Sequence, residues 1–181
     1  MILNSLIDVI GCVWYKAIFS LLNGENRNNF LRRRGIKIGK GCKIYASEFS
    51  TEPFLIELRD NVTIAPGSFF ITHDGAIEMM RDINPEVDLF GKIVIGANSI
   101  IGSHCIILPN TEVGDNCIVG AGSVVRGKIP NDSVVIGNPA KIVMKTSLAK
   151  KMLKNHKNCL KTKLLNKNEK MNLVREHFNI S

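Results

Sequence analysis

The chain has 181 residues, is 45% hydrophobic and 22% charged, and carries a formal net charge of +8. That is the size of one ordinary domain with enough apolar material for a core, which excludes a disordered chain. No run of about 18 uncharged apolar residues occurs, which excludes a polytopic membrane protein. The charge is unevenly placed: residues 145–181 hold ten Lys/Arg and two Asp/Glu, so the whole +8 sits there and residues 1–144 are neutral. The body and the tail therefore need separate explanations.

Cys12, Cys42, Cys105, Cys117 and Cys159 form no CxxC pair and are odd in number. A disulfide framework or a structural zinc site is not expected, and a reducing cytosol is the natural compartment. The N-terminus has no basic segment and no small-residue cleavage site, so it does not read as a secretory signal.

In chain order, residues 2–22 come first. Ile2/Leu3, Leu6/Ile7, Ile10, Val13/Trp14, Ile18 and Leu21/Leu22 follow the i, i+3/i+4 spacing of an amphipathic helix, and Asn23-Gly24 ends it. Two readings stay open: a helix packed on the body or on a neighbouring subunit, and a helix lying on a membrane surface.

The middle of the chain repeats. Aliphatic residues recur every sixth position at Ile95, Ile101, Ile107, Val113, Val119 and Val125. Glycine follows four of them (Gly96, Gly102, Gly114, Gly120), and the fifth residue of each hexad is small: Ser99, Cys105, Thr111, Cys117, Ser123. An earlier tract shows Ile38, Ile44, Ile56 and Val62, with a gap at Ser50. Neither a helix nor an alternating strand has period six. A coil of three short strands does, each hexad forming one side of a triangular prism. The aliphatic residue points inward, the next position turns the corner, and the small fifth residue fits a tight slot. Cys42, Cys105 and Cys117 fall in that slot, so packing accounts for them. Three hexads make an 18-residue coil, and the coils stack into an all-β solenoid. Residues 62 and 95 are 33 apart, not a multiple of six, so the prism is interrupted. Thr72–Gly91 lacks the period and is expected to loop out, as functional segments on rigid scaffolds do.

The stretch Ile95–Val125 followed by Ile136-Gly137-Asn138-Pro139-Ala140-Lys141 resembles the hexapeptide-repeat acyltransferases, in particular the galactoside, maltose and surface-polysaccharide O-acetyltransferases. Asp60–Pro66 followed by Thr72-His73 matches that group's approach to its catalytic histidine. The resemblance covers about residues 36–144. It implies a left-handed parallel β-helix, a homotrimer with sites between subunits, acetyl-CoA as co-substrate and no metal. Three regions result: an N-terminal amphipathic helical segment (1–35), the β-helix acyltransferase domain with its excursion (36–144), and a basic helical tail (145–181).

Acetyl transfer to a hydroxyl needs a base, an aligned thioester and oxyanion stabilisation. Of His73, His104, His156 and His177, only His73 aligns with the family's base. His104 is read as structural, and the two tail histidines as solvated. Asp74 would orient His73 or bind the acceptor. No cysteine or serine sits in a nucleophile motif, so direct attack in a ternary complex is expected. Gly102 and Gly120, like Ser103 and Ala121, are 18 apart and stack, leaving a shallow groove for a pantetheine arm. The resemblance places Ser103 and Ala121 at CoA-contacting positions. Arg126 and Lys141 are the candidate phosphate cations; Arg126-Gly127 stands where the family commonly has Thr-Lys. Tyr45, Asn84, Asp88 and Phe90 are candidates for the acceptor pocket, and Ser47 stands where some relatives have an acceptor-binding asparagine. The γ-class carbonic anhydrases share the solenoid but need three zinc-binding histidines, which the body lacks.

The tail carries Leu148, Met152, Leu153, Leu160, Leu164 and Leu165 among lysines, a basic amphipathic pattern interrupted at Asn166-Lys167-Asn168. It would cap the solenoid or touch anionic lipid, placing the enzyme in the cytoplasm at the inner face of a membrane. No aromatic platform interleaves the lysines, so nucleic acid is not an expected partner. The reading is an acetyl-CoA-dependent O-acetyltransferase of a sugar hydroxyl, probed against two alternatives: N-acetylation of an amino-sugar nucleotide or a xenobiotic, and an inactive β-helix assembly module.

Overall fold

The computed structural model describes residues 14, 15 and 17–180. The expected N-terminal helix lies mostly outside them; within them residues 17–21 are helical, with Phe19 buried. The described chain divides into two compact units at Thr146/Ser147.

The first unit is a left-handed parallel β-helix. Coil 1 is β1 (Lys37–Ile38), β2 (Lys43–Ile44) and β3 (Glu48–Phe49). Coil 2 is β4 (Ile56–Leu58), β5 (Thr63–Ile64) and β6 (Phe69–Phe70). Coil 3 is β7 (Ile93–Ile95), β8 (Ile100–Ile101) and β9 (Ile106–Ile107); coil 4 is β10 (Thr111–Val113), β11 (Ile118–Val119) and β12 (Val124–Val125). Coil 5 holds β13 (Lys128–Ile129) and β14 (Ser133–Gly137), after which β15 (Ala140–Lys145) turns back. The first side of the prism stacks β1-β4-β7-β10-β13, the second β2-β5-β8-β11-β14-β15, and the third β3-β6-β9-β12. Every pairing is parallel except β14–β15.

The inward columns are aliphatic, as the hexads require. Leu58, Ile95, Val113 and Ile129 form one, and Ile44, Ile64, Ile101, Val119 and Val135 another. The earlier tract differs from the expected register. Leu58 and Ile64 enter the columns, while Ile56 pairs with Ile93 two residues earlier. The cause is the length of coil 1: Ile38 pairs with Leu58 and Ile44 with Ile64, a repeat of 20 residues instead of 18. The extra residues sit between Ser50 and Leu55, where the hexads break and a 3-10 turn, Pro53–Leu55, forms.

The corners also differ in cause. The left-handed residue of each hexad is the fourth, not the second: Asn98, His104, Asn110, Asn116 and Gly122 all have φ between 57° and 71°. Asparagine and glycine tolerate that region best. The glycines at the second position answer a different need. A Cβ at Gly96 would overlap the backbone of Gly114, and one at Gly102 would lie 2.6 Å from the nitrogen of Ala121. The small fifth residues are buried, and they are also donors: Ser99 Oγ donates to Gly114 O at 2.8 Å, and Cys105 and Cys117 point Sγ at the carbonyls of Gly120 and Pro130. Burial pushes these thiols, and that of Cys42, up from the ordinary thiol range.

Parallel strands turn alternate residues to the coil before and the coil after, so Lys43 N donates to Val62 O and Gly102 N to Val119 O while the residues alternating with them face the other way. In coil 1 the carbonyls of Ile38, Gly39, Cys42 and Ile44 have no preceding coil to meet. Helix α1 (Gly24–Arg33) covers them with donors. Arg27 reaches Ile44 O, Asn28 reaches Cys42 O at 3.0 Å, and Arg32 reaches Ile38 O and Gly39 O. Leu31 of the same helix is fully buried. At the other end β15 supplies the last strand with an antiparallel partner.

Helix α2 (Thr146–Lys154) begins at the boundary, and α3 (Lys167–His177) belongs to the second unit. The expected interruption at Asn166–Asn168 is the start of α3: Asn166 accepts from Asn168 N and Glu169 N, and Glu169 returns a bond to Asn166 N, a capping box. Among the described residues no helix is long and apolar enough to cross a membrane.

Overpacking at a coil contact costs about 1–3 kcal/mol. Gly96→Ala is thus expected to lower the thermal midpoint by several degrees, while Gly75→Ala, where an added methyl meets nothing within 4 Å, leaves it unchanged; thermal unfolding followed by circular dichroism reads both.

Candidate active site

The site lies at the corner between the third side of one coil and the first side of the next. Four coils contribute there: Ser50–Glu52 from the enlarged corner of coil 1, the excursion after β6, Pro109-Asn110 after β9, and Arg126-Gly127 after β12.

The extra length of coil 1 puts Glu52 against His73. His73 Nδ1 lies 3.1 Å from Glu52 Oε2 and 3.2 Å from Ser50 Oγ. Thr72, fully buried, donates to the same Glu52 oxygen at 2.8 Å, and Thr51 donates to the other. Partial burial pushes the Glu52 carboxyl up, but the hydrogen bonds from Thr51, His73 and Thr72 together outweigh it and hold the group at about 2. Glu52 is therefore a carboxylate at any working pH and only accepts. Nδ1 must then be the donor to Glu52, so in the neutral ring the basic nitrogen is Nε2. The imidazole is about half exposed and Glu52 only 19%. The arrangement holds one ring nitrogen in the protein and turns the other toward the pocket.

The excursion is tied at its base. Asp74 N donates to Leu89 O, Gly91 N donates to Thr72 O, and His73 pairs with Phe90 in an antiparallel bridge. Asp74 Oδ1 accepts from Ala76 N and caps the 3-10 turn Gly75–Met80. Arg81 gathers the rest of the loop, bonding Glu78, Asp88 and the carbonyls of Pro85 and Val87. Between this loop and coil 1 lies a pocket of about 250 Å³ lined by Thr51, Glu52, His73, Asp74, Asp88 and Phe90, among others.

Comparison with known proteins agrees with this architecture. Residues 92–127 match the family described as bacterial transferase hexapeptide (six repeats). Protein CapG of Staphylococcus aureus is 39% identical over 158 residues, 86% of this chain and 91% of that one. The chain belongs to the hexapeptide-repeat acyltransferase family. The galactoside O-acetyltransferase of Escherichia coli (strain K12) is 34% identical over 111 residues, 60% of this chain and 54% of that one. A maltose O-acetyltransferase from Clostridium difficile 630 superposes with a TM-score of 0.53 at 26% identity, over 75% of this chain and 84% of that one. The protein is an acetyltransferase of this hexapeptide-repeat family.

The residues singled out in the sequence fall at two corners of the acetyltransferase. His73, Asp74, Asp88 and Phe90 share the pocket, and Arg126 reaches it through Asp74 at 3.2 Å. Gly102, Ser103, Gly120 and Ala121 stack as their spacing requires, but at the corner between the second and third sides, where Tyr45 also lies after β2. Asn84 is in the excursion, its N–H donating to Met80 O at 2.7 Å. Lys141 is on β15 opposite Ile136. His104 takes the left-handed corner position, its ring in the space a Cβ on Gly67 would need. The residue bonded to His73 Nδ1 is Glu52, while Asp74 bonds Ala76 and Arg126. Glu52, Ser50 and Thr72 are the residues that sequence reasoning missed; the break in the hexads at Ser50 was the signal available.

Replacing Glu52 by Gln removes the charge that holds Nδ1–H and stabilises the imidazolium. Glu52→Gln is expected to lower kcat about 10- to 100-fold with the KM for the acetyl donor unchanged. Steady-state kinetics checks both.

Proposed function

We propose that this acetyltransferase moves the acetyl group of acetyl-CoA to a hydroxyl of a saccharide, with His73 as general base. The observation that carries the reading is the Glu52–His73 pair, which makes Nδ1 the donor and leaves Nε2 as the basic nitrogen of the neutral ring, beside a pocket of about 250 Å³. Nε2 takes the proton of the acceptor hydroxyl as its oxygen bonds to the thioester carbonyl carbon. Glu52 offsets the positive charge that grows on the ring. The proton then passes from Nε2 to the departing sulfur, and His73 is restored. Asp74, Asp88 and Phe90 suit an acceptor, carboxylates for hydroxyls and the ring for an apolar sugar face. Acetyl-CoA supplies the acetyl group in activated form.

The residues that fit the donor are Ser103 and Ala121, with Lys141 for its phosphates. Ala121 and Gly122 are exposed, and a Cβ at Gly122 would meet nothing within 4 Å, so the strip projects little side chain. This strip and His73 occupy different corners of one prism. A donor on one chain's strip would thus serve the His73 of a neighbour, which supports a homotrimer with sites between subunits. The relatedness to CapG and to two sugar O-acetyltransferases supports a surface polysaccharide or its precursor as acceptor. The four carboxylates of the pocket, Glu52, Asp74, Glu78 and Asp88, also suit an amino sugar, and N-acetylation is the second reading.

For the tail we read contact with an anionic membrane from the cytoplasmic side. Leu148, Met152 and Leu153 of α2 are exposed beside Lys150, Lys151 and Lys154.

His73→Ala is expected to lose about 10²- to 10⁴-fold in kcat while remaining a folded trimer by light scattering. Full turnover in that variant would sink the mechanism. Free-thiol release with hydroxyl and amine acceptors separates the two readings. Removing residues 147–181 is expected to abolish sedimentation with anionic vesicles and to leave turnover of a soluble acceptor intact.

A further inference from the structure

The pocket at His73 is continued by a second one. This neighbour, of about 240 Å³, is lined by Asp74, Leu89, Pro109, Asn110, Arg126 and Gly127, so the two cavities share Asp74 and Leu89 as their partition. Each alone is smaller than the usual small-molecule site, and together they enter that range. The His73 pocket is lined by the carboxylates of Glu52, Asp74, Glu78 and Asp88, of which Glu78 and Asp88 pair with Arg81; the second pocket is lined by that same Asp74 and by Arg126, among the described residues the one guanidinium lining either cavity.

Arg126 is held but not consumed. Its Nη2 meets Asp74 Oδ2 at 3.2 Å, and the side chain is 61% exposed. A guanidinium has five N–H donors in a planar fork, and this single contact leaves a pair of them for a bidentate oxyanion. The other Asp74 oxygen is fixed by Ala76 N, so the carboxylate orients Arg126 without covering it. Pro109 and Leu89 give the pocket apolar walls, and Asn110 offers an amide beside the cation. Arg126 shares its corner with His73, whereas the small-residue strip suited to the donor lies at another corner of the same chain.

We propose that Arg126 is an acceptor subsite, and that the natural acceptor is an acidic saccharide. Its carboxylate or phosphate sits in the second pocket, one sugar position away from the neutral ring whose hydroxyl faces His73. The inference rests on the acetyltransferase reading given above. It adds that specificity depends on a charge remote from the reacting group.

The test compares an acidic oligosaccharide, such as a galacturonate disaccharide, with its methyl ester as acceptors. Wild-type enzyme is expected to have the lower KM for the acid, with the preference weakening as salt rises. Arg126→Gln is expected to raise that KM roughly 10- to 100-fold and so to erase the preference for the acid over the ester; Arg126→Lys recovers part of the preference. Equal use of acid and ester by both proteins, with His73→Ala inactive, overturns the subsite and keeps the acetyltransferase reading. A rise in the KM for acetyl-CoA instead overturns it in favour of the donor's phosphates. Calorimetric titration with the acid alone needs no turnover: binding to wild type and not to Arg126→Gln supports the subsite, and equal binding or none overturns it.

Discussion

The structure depends on its inter-coil hydrogen bonds. Along each strand alternate residues turn their N–H and C=O to the coil before and to the coil after. That stacking fixes what each position can hold. The fifth residue of a hexad can be serine, threonine or cysteine because its side chain adds a donor to a nearby carbonyl, Ser99 to Gly114, Cys105 to Gly120, Cys117 to Pro130 and Thr111 to Leu108. The backbone N–H groups of the left-handed residues Asn98, His104, Asn116 and Gly122 donate backward, closing each corner onto the coil before it. The second position must be bare wherever the backbone of the next coil presses on it. Hexad chemistry follows from this stacking more than from the core.

A scaffold so regular has little room for chemistry on its sides, and the site is built where regularity fails. Both departures lie at one corner. Coil 1 is longer than an 18-residue coil and carries Ser50, Thr51 and Glu52; coil 2 runs out into the excursion that begins at Thr72-His73. Neither element has the pair by itself. Glu52 is fixed by hydroxyls from its own corner and by Thr72 from the next, so the low position of its carboxyl depends on both coils. The excursion is organised by Arg81, which gathers Asp88 and the carbonyl of Val87, and by Asp74, which joins Ala76 N and Arg126 beside the base.

Much of this was legible in the sequence because period six leaves few alternatives. The solenoid, the looped excursion and His73 were read from spacing and resemblance. The register of coil 1 was not: Ile56 and Val62 keep an apparent period with Ile44, and only pairing across coils reveals that Leu58 and Ile64 fill the columns. Glu52 was invisible for the same reason, since its partner is 21 residues away across an irregular corner. Asp74 is adjacent to His73 in sequence, yet successive residues of extended chain point apart, and its carboxylate turns to Ala76 and Arg126. Helix α1 was hidden too, because its role rests on single polar donors, Arg27, Asn28 and Arg32, and not on a repeating apolar face.

The two ends of the solenoid have one more consequence. Each presents unpaired strand N–H and C=O groups in the parallel pattern, so a bare prism would be complementary to itself head to tail. Such a surface does not close under rotation; it grows. The arginines and asparagine of α1 at one end and the returning strand β15 at the other act as stoppers on a potential filament. Asn28, buried with its amide on Cys42 O, is among the residues that keep this acetyltransferase a finite particle and not a monomer of a fibre.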